Sequence, residues 1–333
     1  MKTSALFQNT IFSFFLKRAR TVKYCAVFAV YVLSAIGAWG TDYTWTGGGT
    51  DSNWTTENNW DISGYPRTGD TAIFTGNTEV TAVLDGNITI STIKTGTEGA
   101  SKVTINTNGY SLTTTNFTVN AGATGSYNTT TVITGNGTLT VSGTATVSSG
   151  AEMNVNAANF SGTVTNNRTI TCGDGAVTFG ETTNSGRITC STTTTVFNGT
   201  VTVLTGGTIT GSTGTAEFKS TVTNNGTITG DSGAIKFGGN VTNDGEISGS
   251  SGTITFSGTT DNSGTITASD GAVTFGGSLT NDGTITGGSG AVTFGETTNS
   301  GGITCSTTTT VFNDAVTVSA GGTIKGSTGT AEF

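Results

Sequence analysis

The residues of this 333-residue chain that could do chemistry are scarce. There is no histidine, and three of the four cysteines (Cys172, Cys190 and Cys305) lie in its second half. Cys172 and Cys190 each stand two residues after an isoleucine, Ile170 and Ile188. On neighbouring coils of a stacked strand array such residues are roughly 4.8 Å apart, within the Cα range of a disulfide. Cys305 has the same place in its own unit, but Gly287 and Gly326 fill the neighbouring positions. A column that accepts Cys and Gly alike suits a small inward slot. Buried thiols are therefore expected, with a Cys172–Cys190 bridge as the alternative. Scattered thiols without histidine make a poor metal site, and neither metal nor cofactor is expected.

The carboxylates are equally dispersed. Asp174, Asp231 and Asp270 occur singly in "GDGA", "GDSG" and "SDGA", where Asp commonly serves the turn itself. Polysaccharide lyases and hydrolases on β-helices need clustered carboxylates, often with Arg, Lys or bound Ca²⁺. No catalytic residue is assigned, and the chain is not expected to be an enzyme. Trp45, Trp54 and Trp60 crowd into one short segment. Their faces would suit a sugar, so they are a possible carbohydrate contact. Covering the open end of a repeat stack is the plainer role, and the preferred one.

The elements that carry these residues follow from a repeat. Isoleucines at 170, 188, 209, 228, 247, 266, 285, 303 and 324 are each followed nine residues later by a phenylalanine. The step from Phe to the next Ile varies only from 9 to 12 residues, so the period is about 19. Residues 173–218 also match 288–333 at 39 of 46 positions, an offset of six units. A short fixed period of this kind marks a solenoid. Within each unit the alternation has period two: Val292 and Phe294 share a face that Thr293 does not, and Ile285 opposes Thr284 and Thr286. β-Branched residues favour strands, and Gly and Asn-Asp-Gly clusters supply corners. The expected fold is all-β, a parallel β-helix of about 19-residue coils. Asn166, Asn184, Asn224, Asn243, Asn262, Asn281 and Asn299 recur at one corner position, two places before a Gly in every case except Asn166, where Arg168 stands. Stacked at the strand spacing, they can hydrogen-bond along the axis. Asn and Gly would also tolerate left-handed corner geometry.

Residues 1–40 are a different piece. They hold five basic residues (Lys2, Lys17, Arg18, Arg20, Lys23) and no acid, ahead of the apolar run "YCAVFAVYVLSAIGAWG". That is the layout of an export signal, with a cut near Gly40. Read as a membrane anchor, the 16 residues from Tyr24 to Trp39 fall short of the roughly 20 needed to span a bilayer. Without this segment 8 basic residues face 21 acidic ones, a net charge of −13. Such a chain is a poor partner for nucleic acid or anionic membranes. Four segments are expected: an export signal (1–40), a Trp-rich cap (41–75), irregular coils (76–159) and regular 19-residue coils (160–333).

The opening of the second segment, "TDYTWTGGGTDSNWTTENNWDISGYPRTGDTAIF", resembles the start of bacterial autotransporter and adhesin-type passenger domains. Trp45, Trp54, Asn59, Trp60, Pro66, Gly69, Asp70, Ala72 and Phe74 carry the likeness. The resemblance implies a right-handed β-helix displayed or secreted by a bacterium. The expected function is that of an exported cell-surface protein, structural or adhesin-like, touching glycans or proteins of a host or neighbouring cell. A carbohydrate-active or carbohydrate-binding β-helix is the alternative. An ice-binding solenoid is a further one, raised by the Thr-Ile-Thr rows. Arg187, Glu246, Gly302 and Lys325 interrupt those rows, which favours plain outward stacking. The sequence also breaks off in mid-coil at Phe333 without a barrel or anchor. It therefore reads as a fragment or as cargo of another export route, and self-association through the uncapped last coil is expected.

Overall fold

The computed structural model describes residues 40–75, 79–96, 102–121 and 129–333. The chain divides into two units, 1–40 and 41–333, and the architecture below is that of the second. The expected export signal (1–40) lies, apart from Gly40, outside the described residues.

Residues 41–333 form a parallel β-solenoid. Every strand ladder among the described residues is parallel, in two sheets of 13 and 25 strands. The 13-stranded sheet collects the isoleucine strands. It runs from Val80–Val83 to Thr323–Lys325, one strand per coil. The other sheet collects the remaining two strands of each coil. In the early coils these two are one continuous strand, Ile88–Thr95 and then Leu112–Val119. The latter pairs with both Leu139–Val141 and Thr144–Val147, and from there the strand is split in two. The Trp-rich segment belongs to the same stack, since Asp42–Thr44 pairs in parallel with Thr71–Phe74.

Period-two alternation decides what is buried. Ile266, Val273 and Phe275 all point inward and are buried, whereas Thr274 between the last two is half-buried on the outer side. The repeat then places like on like: Phe237, Phe256, Phe275 and Phe294 are consecutive register partners. Ten phenylalanines from Phe160 to Phe333 stack in one column, with ring centroids 4.5–5.3 Å apart and planes within 16°. Strand spacing near 4.8 Å imposes this separation. Phe333 closes the column on Phe312 and is 81 % exposed.

The asparagines form the expected ladders. In each, Nδ2 donates to Oδ1 of the next coil at 2.7 Å: Asn166 to Asn184, and then Asn224 through Asn243, Asn262 and Asn281 to Asn299. Val203 stands between Asn184 and Asn224 in the register and divides the two runs. The corner glycines have a different reason from the one expected. Gly226, Gly245, Gly264 and Gly283 are not in the left-handed region. Instead, a Cβ on any of them would collide with the backbone carbonyl of the glycine one coil earlier. Close approach of stacked corners, rather than φ, demands glycine there.

Candidate functional site

The three tryptophans are core residues. Trp45, Trp54 and Trp60 are 5, 0 and 4 % exposed. Trp60 meets Trp45 edge-on at 5.0 Å and Trp54 at 5.1 Å, and all three rings pack on Phe74. Two of the indole N–H groups are used internally: Trp60 donates to the Trp54 carbonyl at 2.8 Å and Trp54 to the Pro66 carbonyl at 3.5 Å. Trp45, Trp54 and Trp60 are thus enclosed within the first coils. The rest of the signature serves the same fold. The buried Asn59 amide donates to the carbonyls of Asp51 and Asn53 and accepts from the Gly49 N–H. Gly69 adopts φ +98°. Asp70 accepts from the backbone N–H groups of Thr41 and Arg67, each at 2.9 Å. Ala72 and Phe74 are buried beneath. The motif is thus a folding code for the first coils.

Cys172, Cys190 and Cys305 are free and buried. The register Ile170–Ile188 and Thr171–Thr189 runs directly into Cys172 and Cys190. Both stand as free thiols in this structure. The slot they occupy explains their residue type. In coils where it holds Gly230 or Gly249, the δ-methyl of Ile235 or Ile254 fills the space. Where the slot holds Cys190 or Cys305, the matching residue is Thr195 or Thr310. In these four coils the two positions trade volume, as close packing favours. Burial, together with a nearby Cys190 anion, pushes the Cys172 thiol well above its ordinary value. Burial also raises Cys190 to about 12, against a partly offsetting hydrogen bond with Thr195.

A prediction follows for pH. The unfolded thiols ionise near 9.0 while the folded ones stay protonated, so the unfolded state binds fewer protons above that value. This contribution to stability is intact below pH 9. It falls as pH rises towards 12, by about 1.4 kcal/mol per pH unit for each thiol. Replacing both Cys172 and Cys190 by Ala should flatten the urea midpoint between pH 9 and 11, and iodoacetamide at pH 8 should label neither cysteine until the chain unfolds. Rapid native labelling would contradict their burial.

The carboxylates serve the corners. Asp174 accepts from the Thr192 hydroxyl at 2.9 Å and Asp270 from that of Ser289 at 2.7 Å, each tying one coil to the next. Glu296 accepts from Ser278 at 2.9 Å beside an open surface depression that Asp314 also lines. Among the described residues no group of three His, Cys, Asp or Glu side chains is placed to hold a metal ion. Among those residues, too, no helix is long and apolar enough to cross a membrane.

The outer side of the isoleucine sheet carries rows of hydroxyls. Each Thr-Ile-Thr strand buries its Ile and shows both flanking residues, for example Thr227 and Thr229 around Ile228. Sequence reasoning found these rows but treated their two flanks as one set. The strand register separates them.

Fold and surface together define a parallel β-solenoid repeat protein. No family model, no curated protein and no solved structure matches the chain.

Proposed function

We propose that the chain is an exported cell-surface rod, structural or adhesin-like, that acts by display and contact rather than by catalysis. The observation that carries this reading is the unbroken parallel stack. Thirteen strands in one sheet at about 4.8 Å each make a stiff spacer roughly 60 Å long. The corner roles of Asp174 and Asp270 support a non-catalytic reading. The basic, then apolar, N-terminal segment supports export. The stack buries its large apolar side chains and leaves a hydroxyl-rich, weakly acidic exterior suited to an aqueous surface.

The test is expression of the full chain in a bacterial host. The expected product begins near Thr41, is recovered outside the cytoplasm, and when coupled to beads retains them on cells or immobilised glycans. A cytoplasmic product with residues 1–40 intact would overturn the location. Beads that bind no cell or glycan would overturn the adhesin-like half of the reading.

A further inference from the structure

Strands of the type Val-Thr-Phe or Val-Thr-Asn turn two residues inward and show one. Thr-Ile-Thr strands do the reverse, so their sheet shows two columns side by side over successive coils. The first column runs from Thr169 to Thr323, and Arg187, Glu246 and Gly302 break it. The second runs from Thr171 through eight coils to Thr304. It carries Thr in seven of them and Ser248 in the other. Lys325 interrupts only at the ninth coil. All eight side chains are half-buried.

These hydroxyls are also free. Among the described residues, the only hydrogen bond made by a side chain of this column is the long one from Ser248 to Thr229, at 3.4 Å. Corner hydroxyls behave differently: those of Thr192, Ser289 and Ser185 are all tied to neighbouring side chains. The strip therefore offers a row of unused donors and acceptors, uncharged on an otherwise acidic chain.

We propose that this face adsorbs to ice. Successive hydroxyls lie about 4.8 Å apart across strands, and the two columns are separated by roughly 6.6 Å along them. One water bonded to two successive hydroxyls at about 2.8 Å each would subtend an angle near 120°. That is close to the tetrahedral angle of crystalline water. Thr is stiff at χ1, so the row is organised before contact, and its γ-methyl groups stand among the hydroxyls. The uncharged second column suits an uncharged lattice, which multiplies weak contacts. A second copy fits less well, because the strip covers only about 400 Å², half of what each partner in a stable complex buries. A soluble glycan would want aromatic faces or amide and carboxylate pairs, and the strip has neither. The inference goes beyond the proposed function and does not depend on where the chain is displayed.

The experiment measures inhibition of ice recrystallisation by the full chain, with folding checked by far-UV circular dichroism. The wild-type chain should hold crystals small. Thr210→Lys with Thr229→Lys should require about tenfold more protein for the same effect. Thr202→Lys with Thr223→Lys, on the single-column face, should change nothing. Arg187→Thr with Glu246→Thr, which completes the first column, should lower the protein required. This gain keeps the test decisive if the lysine variant fails to fold. A folded wild-type chain that leaves recrystallisation unchanged overturns the proposal, as does equal loss in the two lysine variants. Binding to insoluble cellulose, or a dimer lost in the Thr210/Thr229 variant, also overturns it if ice growth is unaffected.

Discussion

Phe275→Asp should abolish cooperative folding of its own coil and of the coils on either side, whereas Thr274→Asp should leave the chain intact. Phe275 is buried between Phe256 at 4.8 Å and Phe294 at 5.2 Å. Removing a buried Phe side chain costs about 3–5 kcal/mol. The aspartate must in addition shed its hydration with no cation in the column, or take up a proton to enter. Against a domain stability of about 5–15 kcal/mol, this is most or all of what holds the stack. The loss spreads because each coil is stabilised chiefly by its neighbours. Thr274 is one residue away, but it faces out between Thr255 and Thr293, where substitutions change stability by about 0.5 kcal/mol or less. Urea and thermal melts of the two variants decide the matter. Coincident midpoints would mean that the inner and outer faces are wrongly assigned.

Asn243→Ala should be the next most damaging change, and more damaging than Asn299→Ala. Asn243 lies inside the longer ladder. It accepts from Asn224 and donates to Asn262, both at 2.7 Å. Truncation strips the buried Asn262 oxygen of this donor and leaves the Asn224 Nδ2 with only its bond to the Glu246 carbonyl. Each buried group left unpaired costs about 1–3 kcal/mol, and the cavity adds to that. A total of roughly 3–5 kcal/mol is expected. At Asn299 the ladder ends, because the register partner in the next coil is Val318. There only Asn281 loses an acceptor, and the cost should be about half as large. Chemical denaturation of the two alanine variants measures the difference. A smaller loss at position 243 would show that the ladder is not cooperative.

Trp45, Trp54 and Trp60 show where sequence falls short. Three aromatic residues close together in a chain are equally consistent with an exposed platform and a buried cluster. Composition and spacing carry no sign for which way a ring turns. Here the turn depends on Phe74 and on the Pro66 carbonyl, contacts made only when the first coils close. The corner glycines were misjudged for a related reason. Their necessity comes from a carbonyl one coil away, which no local dihedral preference reveals.

Sequence alone determined the repeat, its strand character, the inward Ile, Val and Phe, and the stacked asparagines. All of these are local alternations copied about every 19 residues, and a parallel in-register stack is the arrangement that superposes the copies. Tertiary structure decided which outward residues share a column. The interruptions at Arg187, Glu246 and Gly302 fall in one column and leave its neighbour whole. It also decided that Cys172 and Cys190 are enclosed thiols and that the tryptophans are core. These outcomes depend on distances between coils, and such distances exist only once the backbone ladders have fixed one coil against the next.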